Sequence, residues 1–168
     1  MKTLRLYLDT PVINFLFADD APDLMAVTKE FFETVVGPRV CDVFVSSVVI
    51  DEILETPDAE HRQRLLGVVT DYSLASLPME PAAEIEDLAS SYIETGIIPP
   101  SKLDDALHVA IATVHQGDVL VSWNFRHLAN VNKERRVRAA NEQKGYLYPL
   151  RITTPLEVMA SGEDRGTA

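Results

Sequence analysis

Short continuous apolar blocks alternate with longer stretches whose apolar positions recur every three or four residues. Leu4–Leu8, Val43–Val45 and Val119–Ser122 are too short for helices and read as buried strands. Tyr72–Leu77 and Tyr148–Ile152 are weaker strand candidates. Between them the periodicity predicts helices over Val12–Phe17, Leu24–Val36, Val48–Glu55, Pro57–Val69, Pro81–Thr95, Ser101–His115 and Asn132–Lys144. Thr10 before Pro11 reads as the cap of the first helix, and Ser46 or Ser47 as the cap of the third. Gly37-Pro38 and Gln116-Gly117 are stop signals. Strands alternating with helices predict a three-layer α/β/α fold around a mainly parallel sheet, covered on both faces. One domain is expected over residues 1–155, with 156–168 as a flexible tail.

A chain of 168 residues, 46% hydrophobic and 24% charged, can bury a substantial core. No apolar stretch reaches the ~18 residues that span a bilayer. The opening run Leu4–Leu8 is cut short by Asp9 without a cleavage site, so no signal peptide is expected. The single cysteine, Cys41, cannot form an internal disulfide and fits a reducing cytoplasm.

Charge is distributed unevenly. The net formal charge is −11, from 15 basic and 26 acidic residues. Residues 1–125 carry 7 basic and 21 acidic side chains, whereas residues 126–151 carry 7 basic and 2 acidic. An acidic body is a poor non-specific partner for nucleic acid, and the basic segment is the exception.

In open parallel sheets, ligands bind beyond the carboxyl ends of the strands. Asp9 follows the first predicted strand, and Asp51 and Glu52 lie within a turn or so of the second. Asp104 and Asp105 open the strongest helix, and Ser122, Trp123 and Asn124 end the next strand. Each has an ordinary reading as well: helix-start acids suit the helix dipole, and Asp51 or Glu52 could be a plain surface acid. Asp104, three residues after Ser101, fits a capping box. Asp105 has no capping task and adjoins the apolar face of Leu107, Val109, Ala110 and Val114, where an acid needs a partner. Carboxylates converging on one rim, with no cysteine pair and no HxxxH, suit Mg²⁺ or Mn²⁺ and metal-assisted phosphodiester hydrolysis.

These segments resemble, in order, the motifs of PIN-domain nucleases, which include the toxins of VapBC-type toxin–antitoxin pairs. The resemblance runs from Leu6 to about Asn130. Tyr7-Leu8-Asp9-Thr10 is similar to the first-strand motif, and Ser46–Ile53 to the segment whose glutamate falls on Glu52. Asp105–Ala112 is similar to the acid-plus-helix motif, and Val119–Asn124 to the last motif. The resemblance implies a Mg²⁺- or Mn²⁺-dependent endoribonuclease. Asp9, Glu52 and Asp105 would be metal ligands, Glu52 alternatively orienting a water, and Asn124 would support them. It further implies an RNA substrate, a cognate antitoxin and a homodimer as partners. Two features depart from the family pattern: Asn124 stands where a fourth acid is usual, and the chain is long for a minimal toxin. The rival reading is a catalytically degenerate PIN-fold module that binds RNA or protein.

Ser122, Arg126, His127, Arg135, Arg136 and Arg138 are candidate substrate contacts. Against this, Ser122 could be an ordinary strand-end hydroxyl and the arginines a solvated helix face. Trp123 reads as a core or rim residue before a base-stacking one, and His108 as a satisfied core histidine. The third residue after the first strand is Pro11, which argues against an Asp-x-Asp phosphatase of the haloacid-dehalogenase type.

Overall fold

A computed structural model describes residues 2–166, with side chains through Gly162. Met1, Thr167 and Ala168 lie outside the described residues, as does the part of the predicted tail that they form. Five parallel strands build one sheet: β1 (Arg5–Leu8), β2 (Asp42–Ser46), β3 (Ala75–Leu77), β4 (Val119–Val121) and β5 (Arg151–Thr153), in the order β3-β2-β1-β4-β5. The fold is three-layer α/β/α, as the alternation predicts. Leu6 is in register with Val43 on one side and Val119 on the other, and Val119 with Arg151.

Eight helices connect and flank the strands: α1 (Thr10–Asn14), α2 (Pro22–Phe31), α3 (Ser47–Leu54), α4 (Ala59–Asp71), α5 (Ala82–Glu94), α6 (Leu103–Val114), α7 (Val131–Gln143) and α8 (Pro155–Gly166). A 3₁₀ turn over Phe15–Phe17 extends α1, and a π-helical turn over Phe32–Val36 extends α2. Side chains alternate across β1. Leu6 meets the face covered by α2 and α8, while the Tyr7 hydroxyl reaches His108 on α6. Phe31, Phe32, Leu65, Ile85, Leu88, Tyr92 and Ile98 are fully buried around the sheet.

Four local predictions are corrected. The cap of α1 is Asp9, whose carboxylate accepts from the Val12 N–H at 3.3 Å, and Thr10 is already helical. Ser101 and Asp104 form no capping box: a 3₁₀ turn over Pro100–Lys102 precedes α6, whose cap position, Lys102, makes no side-chain bond. The strand predicted from Tyr148 begins at Arg151, because Tyr148 turns its hydroxyl to Asp118 at 2.5 Å. The expected tail is mostly helix: Thr154 accepts from the Glu157 N–H, and Val158 and Met159 pack against the core.

Candidate active site

In the order β3-β2-β1-β4-β5 the chain moves outward from β1 in one direction, then returns to its other side at β4. At such a reversal, parallel sheets place their ligand crevice beyond the carboxyl ends of the flanking strands, here β1 and β4. Asp9 leaves β1 there, with its N–H bonded to the Val121 carbonyl at 3.3 Å. Ser122, Trp123 and Asn124 leave β4. α3 and α6, joined to each other by contacts, bring Glu52 and Asp105 to the same end.

Asp9 is 1% exposed, and Ser122 is fully buried. Burial raises the Asp9 carboxyl to a pKa of about 6; the nearby Asp105 charge adds to this, and His108 and the Ser122 hydroxyl oppose it. Asp105, half-buried, is also raised, again chiefly by burial and with Glu52 contributing. Asp9 and Asp105, and Asp105 and Glu52, therefore lie close enough to feel each other's charge. Asn124 donates from Nδ2 to Asp105 Oδ2 at 3.4 Å, while its Oδ1 accepts from the His127 N–H at 3.0 Å. The Asn124 N–H in turn donates to Ser122 Oγ at 3.0 Å.

Glu52 is held from a different side. Its Oε1 accepts from His108 Nε2 at 2.6 Å and from Thr10 Oγ1 at 3.0 Å. The Tyr7 hydroxyl bridges His108 Nδ1 and Ser46 Oγ, at 2.6 Å to each. Ser46 caps α3 through the Val49 N–H, so the helix carrying Glu52 starts from the same network. His108 is 1% exposed. Burial works against its protonation, but Glu52, Asp9 and Asp105 outweigh that and raise its pKa.

The donor set at the crevice is oxygen-rich and suits a hard cation. Nevertheless, among the described residues no group of three or more His, Cys, Asp or Glu stands close enough to hold a metal ion. Glu52 is turned toward His108 and Thr10, away from Asp9 and Asp105 as a joint ligand group.

His108 is the satisfied, buried histidine that the sequence suggests, with Glu52 and Tyr7 as its partners; the parts of Tyr7, Thr10 and Ser46 in this network were not anticipated. A histidine three residues after Asp105 on α6 returns to the acidic face of the helix. Asp104, exposed, has neither a capping bond nor an ion pair among the described residues. Asp104→Asn is expected to shift stability by no more than about 0.5 kcal/mol, which a melting curve checks.

The basic segment divides. Arg126 and His127 follow Asn124 after the intervening Phe125, and Arg135 is exposed on α7. Lys133 donates to the Ile97 carbonyl and Arg136 to the Thr95 carbonyl at 3.4 Å, so both stitch α7 to the end of α5. Arg138 lines a cavity of about 710 Å³ with Leu4, Leu6, Val119 and Met159, on the sheet face away from His108. Trp123 is buried and donates from Nε1 to Thr28 Oγ1 at 2.9 Å, which makes it a packing residue. Cys41 is buried.

Comparison with known proteins places this geometry among solved folds. No family model and no curated protein matches the chain. VapBC2 from Rickettsia felis, bound to a DNA fragment from its promoter, contains a chain of similar structure: TM-score 0.56, 13% identity, covering 90% of this chain and 98% of that one. FitAB bound to an IR36 DNA fragment contains another, with TM-score 0.54, 16% identity and coverage of 89% and 94%. The fold is shared with these two. No helix of the described residues is long and apolar enough to cross a membrane.

Proposed function

We propose that the protein is a divalent-metal-dependent endoribonuclease of the PIN type, the toxin of a toxin–antitoxin pair. The observation that carries this reading is the convergence of Asp9, Glu52, Asp105 and Asn124, from four separate segments, on one crevice with Asp9 fully enclosed. Asp9 and Asp105 would hold Mg²⁺ or Mn²⁺; when bound, the ion neutralises phosphate oxygens and acidifies a water. Ser122 and Asn124 fix the two acids from β4, Ser122 on Asp9 and Asn124 on Asp105. Glu52 takes the proton of the attacking water as its oxygen bonds to phosphorus. The bond to one ester oxygen then breaks, and that oxygen is protonated from solvent. An antitoxin, a homodimer and a cytoplasmic setting belong to the same reading.

The deciding experiment compares RNA cleavage and melting temperature in EDTA and in 10 mM Mg²⁺. Cleavage is expected only with Mg²⁺. Metal at 100 times its Kd should add about 2.7 kcal/mol, or roughly 5–10 °C for a chain of this size. Identical melting curves and no cleavage would favour the rival reading, a PIN-fold binding module. One observation supports that rival: no three-residue metal group among the described residues.

The divided basic segment sets a further expectation. Arg126→Gln and Arg135→Gln should each weaken RNA binding and lower the slope of log affinity against log salt by about 1. Arg138→Gln, on the far face, should leave that slope unchanged. Equal effects from all three would reject a contact confined to the crevice.

A further inference from the structure

We infer that Phe125 is a stacking platform for one unpaired base of the RNA, so that the site takes single-stranded RNA. This rests on the nuclease reading and names the form of its substrate.

Phe125 is 54% exposed, although phenylalanine is among the residues most often buried. A single exposed apolar residue is ordinary, but this one ends a built row of rings. Its ring centroid lies 5.8 Å from that of Trp123, tilted by 56°. Trp123 lies 6.3 Å from Phe15 in turn, and its Nε1 is fixed on Thr28 Oγ1. The row runs from the half-buried Phe15 through the buried Trp123 to the exposed Phe125.

The backbone beneath the ring is braced from both sides. The Phe125 N–H donates to the Trp123 carbonyl at 3.0 Å. The Asn124 carbonyl accepts from the Leu128 and Ala129 N–H groups at 3.0 and 2.8 Å. Asn130 donates from Nδ2 to the Phe125 carbonyl at 2.8 Å and to the Arg126 carbonyl at 3.4 Å. Asn130 also caps α7 through the Lys133 N–H, so the loop is tied to the next helix. A ring already held in place loses little freedom when a ligand stacks on it.

The surroundings select the ligand. Asn124, the residue before the ring, donates to Asp105, and His127 lies close enough for its charge to act on Asp105. The platform therefore stands at the edge of the acidic site. Arg126, exposed, follows the ring directly and opens the basic segment. An aromatic face beside a cation is the pairing that holds unpaired nucleotides: the base stacks and the phosphate meets the charge. A base inside a duplex has its faces covered by its neighbours, so the platform favours a single strand.

The test measures binding in EDTA, by fluorescence anisotropy, so that neither metal nor cleavage enters. The probes are a short single-stranded oligoribonucleotide, its duplex, and a series in which one abasic nucleotide moves along the strand. Wild-type protein is expected to bind the single strand at least about tenfold more tightly than the duplex, and to lose about tenfold at one abasic position. Phe125→Ala should bind the intact strand about tenfold more weakly and no longer distinguish that abasic position. Its slope of log affinity against log salt should stay at the wild-type value, because no charge is removed. Phe125→Tyr should restore wild-type affinity within about twofold. A residue that merely holds the loop would displace Arg126 as well, and its loss would lower the salt slope. That result overturns the assignment, as does wild-type affinity in Phe125→Ala, which leaves the ring to a protein partner. Equal binding of single strand and duplex, or no abasic position that matters, overturns it on wild-type protein alone. None of these touches the nuclease reading. Wild-type protein that binds no RNA overturns both.

Discussion

Asp9→Asn is expected to reduce RNA cleavage at least about a thousandfold and, without metal, to make the protein more stable. The two effects have one cause. Asp9 sits fully enclosed with Asp105 nearby, and its carboxyl titrates at about 6 in place of 3.8. The folded state therefore binds the proton more tightly than the unfolded chain. Stability from this group is fully present below the unfolded value, falls as pH rises from 3.8 toward 6, and stays low above that. The difference corresponds to about 3 kcal/mol at pH 7.5. Asparagine has the same shape, retains an oxygen for the Val12 N–H and carries no charge. A gain of roughly 5–10 °C is expected in EDTA at pH 7.5, shrinking to about half at pH 5.0. Melting curves at the two pH values and an RNA cleavage assay check this. Cleavage retained within tenfold would remove Asp9 from the chemistry. A variant less stable than wild type at pH 7.5 would mean that the buried carboxylate is held by more than the bonds named here.

Strand positions were legible because they depend on short-range pattern. Val43–Val45 and Val119–Val121 are continuous apolar runs that only a sheet covered on both faces can use. The acids were legible for a similar reason: Asp9 follows a strand, Asp105 opens a helix and Glu52 lies on the helix that follows β2, and topology then does the convergence. The His108–Glu52 bond was not legible. It joins residues 56 positions apart, and nothing local to either chooses between a buried spectator and a bridge. Asp9 and Thr10 exchanged roles through a similar long-range choice. Both are good capping residues, but the Thr10 hydroxyl is drawn to Glu52, 42 positions away, leaving the cap to Asp9. α8 is a different kind of miss. Thr154-Pro155 with Glu157 is a readable helix start, and Val158 and Met159 have a core to meet. What hid it was its position after the last predicted strand, where a frayed end is the usual expectation.

Asn124→Asp is expected to destabilise the metal-free protein and to make it more dependent on metal. Asn124 faces Asp105 with its amide, donating from Nδ2 to Oδ2 at 3.4 Å. Its oxygen accepts from the His127 N–H, a bond that an aspartate would keep. The substitution therefore replaces one donor with a second negative charge and leaves the loop geometry alone. Asp105 is already raised chiefly by burial, with Glu52 adding to it. Another carboxylate within hydrogen-bond reach pushes the pair's ionisation higher still. Raised carboxyls contribute stability at low pH that is lost as pH climbs through their folded values, so the penalty appears at pH 7.5 and fades toward pH 5. A repulsion of about 1–2 kcal/mol lowers the melting temperature by roughly 3–6 °C in EDTA. Millimolar Mg²⁺ should more than reverse this, because the added carboxylate becomes a further ligand on the Asp9–Asp105 side. Melting curves in EDTA and in a Mg²⁺ series, at pH 5.0 and 7.5, give both quantities. If the metal-free melting temperature and the Mg²⁺ dependence both stay at wild-type values, Asn124 does not face the acids, and its place in the site is lost.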